Sequence, residues 1–152
     1  TRRVVIEDRP VFKWDGLPNA THYRIYVLDA NGNQASRSEE LPPTQTEWKA
    51  PTPLRRGQIF SWVVTALVDG KEIVSPSASA PEMKFAVLSG NDLRELGRLK
   101  KQNSHLVLGV FYARTGLTIE AERELQSLIR LNPQSDLARK LLQSVRSMPR
   151  PN

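Results

Sequence analysis

Apolar residues alternate with polar ones over the first half of the chain, and after Leu88 they recur every three or four positions. The first pattern is that of strands and the second that of helices. Val4-Val5-Ile6 opens the strand region. Val11-Phe12-Lys13-Trp14 follows, entered through Pro10 and left through Asp15-Gly16-Leu17-Pro18. Tyr23, Ile25 and Val27 alternate with Arg24, Tyr26 and Leu28, so period two places the first three on one face. Asn31-Gly32 then suits a two-residue hairpin turn, because both residues tolerate positive φ. Thr46-Glu47-Trp48 is a short strand closed by Pro51 and Pro53. Ile59 to Leu67 is the longest, with Phe60, Trp62, Val64 and Ala66 on one face. Asp69-Gly70 turns the chain, and a proline-rich loop from Ser75 to Pro81 leads into Met83-Lys84-Phe85-Ala86-Val87-Leu88.

About seven short strands separated by turn signals predict an all-β sandwich. Residues 1–88 resemble a fibronectin type III domain. Trp14 stands where that family keeps the tryptophan of its second strand. The run from Leu54 through Phe60 to Val64 and Ala66 is similar to the family's leucine, aromatic and alternating small apolar residues. Phe60 departs from the usual tyrosine, so the hydroxyl bond of that corner is not expected there. Trp14 and Trp62 read as core rather than as stacking platforms, whereas Trp48, between polar neighbours, is open to either reading. His22 reads as a residue at a strand edge on the surface.

The helical pattern begins after Ser89-Gly90-Asn91, where Ser89 or Asn91 can cap a helix and Asp92 suits its positive end. Leu93, Leu96 and Leu99 mark a first helix to about Gln102. A second spans Ser104 to Thr115, stopped by Gly116. Thr118 can cap a third, which carries Glu120, Glu122 and Glu124 early and ends at Asn132-Pro133. A fourth starts near Ser135 or Asp136 with Leu137, Leu141 and Val145 as its apolar stripe.

Leu108-Gly109, Tyr112, Gly116, Ala121, Leu125, Leu128 and Pro133 together resemble one tetratricopeptide repeat over about residues 102–135. His105 stands where that family often has tryptophan. The resemblance implies a helical hairpin with small residues at the crossing and an inward-facing set of Asn103, Leu106, Val110, Ala113 and Arg114. Those residues suit an apolar peptide or a partner helix; the competing reading, which ranks slightly ahead, is that the preceding helix simply buries Leu106 and Val110. The lysine and asparagine clamp for a terminal carboxylate is not present among them. One repeat does not bury its own apolar faces. The flanking helices or the sandwich are therefore expected to cover it, with intimate contact between the two parts.

The predicted fold class is α+β, with a sandwich over 1–88 and a helical segment over 89–152. Charge separates the two. Residues 1–88 hold 11 Lys and Arg against 10 Asp and Glu, and residues 89–152 hold 11 against 6. Most of the net charge of +6 thus belongs to the helices. Arg94, Arg98, Lys100, Lys101, Arg139, Lys140 and Arg146 are candidates for a basic surface toward nucleic acid or another anionic surface. Stacking aromatics are missing beside them, so a protein or peptide partner ranks first.

The chain has no cysteine, which removes disulfides and thiolate chemistry. Neither histidine sits in a catalytic or metal-binding motif, and no phosphate loop occurs, so the expectation is a non-enzyme without metal or cofactor. No apolar run spans a membrane. The chain opens at Thr1 in near-strand sequence and reads as a segment of a longer protein. Two small, abruptly joined modules suggest a bacterial source, and family usage suggests an envelope or periplasmic location over a cytoplasmic one.

Overall fold

The computed structural model describes residues 3–148 and contains eight strands followed by four helices. It divides into two compact units: Glu7–Val87, which is all strand and loop, and residues 3–6 with 88–148, which hold the helices.

In the β unit the strands are β2 (Val11–Lys13), β3 (Ala20–Asp29), β4 (Gln34–Arg37), β5 (Glu47–Lys49), β6 (Ile59–Val68), β7 (Lys71–Ser75) and β8 (Met83–Val87). One sheet runs β8-β6-β3-β4, with β7 also on β6, and β2 pairs with β5 in a second sheet. The pairings β2–β5, β3–β4, β3–β6, β6–β7 and β6–β8 are all antiparallel. The register Tyr23↔Ala66, Ile25↔Val64 and Val27↔Trp62 aligns the alternating apolar residues of the two long strands on one inner face. Opposite that face, the Phe12 ring lies 5.2 Å from Trp62, 5.6 Å from Phe85 and 5.8 Å from Trp48. These rings close the core between the sheets.

Trp48, left open by the sequence, is the most buried of the three tryptophans at 7% exposure, while Trp14 and Trp62 are half-buried. In β5, Glu47 and Lys49 point to solvent, so period two sends the residue between them inward. Trp14 lies just past β2, edge-on to Tyr23 at 5.6 Å.

The turn at Asn31-Gly32 differs from the expected two-residue form. Asp29 N–H donates to the Asn33 carbonyl at 2.8 Å, closing a loop of three residues, and of these only Gly32 has positive φ. The Asp29 carboxylate accepts from the backbone N–H of Asn31 and of Asn33, each at 2.9 Å, which sets this loop length. Asp69 and Gly70 both have positive φ and join β6 to β7 in a two-residue hairpin.

The helical unit comprises β1 (Arg3–Val5), α1 (Gly90–Lys100), α2 (His105–Thr115), α3 (Thr118–Leu131) and α4 (Asp136–Ser147). Residues 3–6, which read from sequence as the first strand of the sandwich, group with the helices. Leu88 N–H donates to the Val5 carbonyl, and Val4 and Ile6 pack against the helical core. Ser89, Ser104 and Ser135 cap α1, α2 and α4, each accepting the N–H three residues on. Thr118 caps nothing: α3 begins at Thr118 itself, and Leu117 precedes it without a side-chain cap bond. Gly116 ends α2 at φ +82°.

Of the expected stripe Leu137, Leu141 and Val145, Val145 is buried and Leu141 is half-buried against the helical core, while the fully buried row is Ala138, Leu142 and Val145. Steps of four and three keep a row close to the helix axis, whereas two steps of four drift about 80° around it. Leu137 is accordingly exposed.

Candidate functional site

The helical hairpin α2–α3 is built around one close contact. A Cβ added at Gly109 would lie 2.9 Å from Leu125 Cδ2 and 3.0 Å from its Cγ, so the two helices meet where α2 has no side chain. Ala121 and Leu125 of α3 and Phe111 and Tyr112 of α2 are buried around this point. His105 Nδ1 lies 2.6 Å from Glu124 Oε2 and ties the start of α2 to α3. Burial pushes the Tyr112 hydroxyl pKa up, and Glu124 and Glu120 push it further in that direction.

With that face of α2 spent on the hairpin, the sequence-derived set distributes as follows. Val110 is 47% exposed, Leu106 is half-buried and Asn103 is exposed in the turn before the helix. Ala113 is half-buried and packs against the helical core. Arg114 is exposed, with its guanidinium 2.8 Å from Glu95 of α1 and 5.4 Å from the Phe111 ring centroid. Leu106, Val110 and Arg114 follow each other at steps of four on one side of α2, drifting about 80° around the helix, and Asn103 precedes them in the turn before it.

All seven basic candidates are exposed. Arg139 bonds to Asp136 at 2.6 Å and to the Pro133 carbonyl, Arg146 pairs with Glu122 at 2.7 Å, and Arg94 bonds to Asn91. Among the described residues, the side chains of Arg98, Lys100, Lys101 and Lys140 have no ion pair. Three of these four are grouped at the end of α1, and Lys140 lies on α4. Helix α1 packs on α2, and α4 packs mainly on α3.

In the β unit a shallow depression of about 740 Å³ lies between the Asp29–Asn31 loop and residues 53–60, and a smaller one of about 410 Å³ lies among Arg24, Arg37, Ser38 and Glu39. Arg24 pairs with Glu40 at 2.9 Å. His22 Nε2 is 4.0 Å from the same Glu40 oxygen. The described residues hold no group of three or more His, Asp or Glu that could bind a metal ion. No helix among them is long and apolar enough to cross a membrane.

Sequence reasoning did not find the His105–Glu124 bond. The two residues are 19 apart, and no local pattern links them. The chain matches no protein-family model, and no curated protein matches it significantly.

Proposed function

We propose that the chain is a non-catalytic protein-interaction or scaffold segment whose contact surface is the exposed stripe of α2. One observation carries this reading: Val110 is an apolar residue 47% exposed in the middle of a well-packed helix, with Leu106 one turn before it only half-buried. The two side chains adjoin on one side of α2, and contiguous exposed apolar surface is where partners dock. An amphipathic helix or an apolar peptide laid along Leu106 and Val110, with Asn103 and Arg114 bonding at the ends, would cover it.

Two finer family readings belong to the same proposal. A fibronectin type III-like arrangement of the β unit is supported by the four-strand order β8-β6-β3-β4 facing the β2–β5 pair. Leu54 and Phe60, both buried, lie at the family's spacing. A tetratricopeptide-like hairpin is supported by the Gly109–Leu125 contact, the buried Ala121 and the left-handed Gly116.

The test is capture from native extract by residues 1–152, washed at low and at high salt, in parallel with the Leu106→Glu and Val110→Glu variants. The expected result is a defined protein retained at high salt by the unaltered chain and lost by both variants. Equal retention by the variants would refute the α2 surface. Release of nucleic acid by salt alone would transfer the function to Arg98, Lys100, Lys101 and Lys140.

A further inference from the structure

Helices α1 and α2 carry an unbalanced charge beside the apolar surface of α2. Residues 90–115 hold five Lys and Arg (Arg94, Arg98, Lys100, Lys101 and Arg114) against two acids, Asp92 and Glu95. Both acids are engaged within the unit. The Asp92 carboxylate accepts from the Ser89 hydroxyl at 2.7 Å, and Glu95 takes the Arg114 guanidinium at 2.8 Å. Helix α2 has no acidic residue of its own. On α1, Arg94, Arg98 and Lys101 follow at steps of four and three, all exposed, within about 60° of one another and opposite the buried Leu96. This row covers about 10 Å of helix. The Arg114–Glu95 pair fixes which flank of α1 borders the α2 surface, and Arg98, one turn on from Glu95, lies between that flank and the outer face. Only residues 101–104 separate the two helices, so Arg98 and Lys101 stand at the end of α2 that carries Leu106.

A surface that is apolar along Leu106 and Val110 and cationic along one flank fits an occupant that is apolar on one face and acidic on the adjoining one. We propose that the partner of the α2 surface is an amphipathic helical segment of this kind. Its acidic residues, at the same steps of four and three, meet Arg94, Arg98 and Lys101, while its apolar side chains cover Leu106 and Val110. This inference rests on the α2 contact surface and adds the chemistry of what binds there. Among the described residues neither Arg98 nor Lys101 has an ion pair, so the partner's carboxylates displace no internal one. A nucleic acid supplies charge but no apolar side chains. The two aromatic rings of this stretch, Phe111 and Tyr112, are buried and leave no face on which a base could stack.

The test uses residues 1–152 and three fluorescent probes read by anisotropy. One is a helical peptide with leucines on one face and glutamates flanking them. The second is the same peptide with lysine for every glutamate, and the third is a single-stranded oligonucleotide of equal negative charge. The glutamate peptide is expected to bind at least about tenfold more tightly than the lysine peptide. Salt should weaken it several-fold without abolishing it, since the apolar contact remains. Arg98→Glu with Lys101→Glu should reverse the order of the two peptides. Both positions are exposed, so unchanged circular dichroism at 222 nm separates lost pairing from lost folding. Leu106→Glu and Val110→Glu should each abolish binding of the glutamate peptide. If these α2 variants lose binding while the charge reversal changes nothing, the acidic partner is overturned and the α2 surface stands. If the charge reversal acts but the α2 variants bind normally, the α2 surface itself falls, and this inference with it. An oligonucleotide bound as tightly as the glutamate peptide, or a chain that binds neither peptide, also overturns the proposal.

Discussion

The two units are stabilised by contacts of different range. In the β unit, Tyr23 faces Ala66, and Phe12 touches Trp48, Trp62 and Phe85, so every one of these core contacts joins residues far apart in sequence. In the helical unit the decisive contact joins Gly109 to Leu125, and the chain between them is one turn of backbone and parts of two helices. The β unit fills its core with aromatic rings. The helical unit fills its own by leaving out a side chain where helices cross. Non-local pairing makes a sandwich slow to assemble and dependent on register, whereas helical hairpins form from neighbours. The difference also explains where free surface remains. The β unit has left-over backbone at a sheet edge, and the helical unit has left-over side chains on a helix face.

Probes can separate the units, since all three tryptophans lie in the β unit and the helices dominate the circular dichroism at 222 nm. The largest effect is expected from Phe12→Ala, which removes a ring touching three others. It should cost about 4 kcal/mol, read as an earlier loss of tryptophan signal in denaturant. A 222 nm transition shifted by as much would mean that the units do not unfold separately. Next is Leu125→Ala, at about 3 kcal/mol in the helical transition. Gly109→Ala on its own should also destabilise, because the new Cβ overlaps Leu125. Combined with Leu125→Ala it should cost clearly less than the sum of the two, since the shortened side chain makes room. Strict additivity would show that the Gly109 contact is not what sets the helix spacing.

Smaller still is Ser104→Ala, which removes the cap of α2 and should cost about 1 kcal/mol. Thr118→Ala should cost at most a few tenths, since that hydroxyl caps nothing. The smallest effect is one of pH. Hydrogen bonds from the backbone and side chain of Asn33 hold the Asp29 carboxyl below its ordinary pKa. A carboxyl depressed in the folded state stabilises it fully above its unfolded pKa, and that contribution disappears as pH falls through the folded value. The tryptophan transition of the unaltered chain should therefore fall faster than that of Asp29→Asn below about pH 4. Parallel curves for the two would show that the loop bonds do not depend on charge.

Much of the candidate site is legible in the sequence. The spacing of Gly109, Tyr112, Ala121 and Leu125 is a local signature, and it places Leu106 and Val110 on the side of α2 away from the hairpin. The contribution of Ala113 to the core and the pairing of Arg114 with Glu95 are not legible there, because both depend on where α1 lies against α2.

The sequence by itself determined the coarse α+β order, the position of each helix and the inner faces of β3 and β6. These follow from serines that bond their own backbone, from a glycine and a proline that cannot continue a helix, and from period-two alternation, all of which act within a few residues. Only the tertiary structure decided that Trp48 is buried deeper than Trp14 or Trp62, that residues 3–6 group with the helices, and that His105 bonds Glu124. Each of those outcomes depends on which partner arrives from elsewhere in the chain. Burial is a property of that pairing and not of the residue alone.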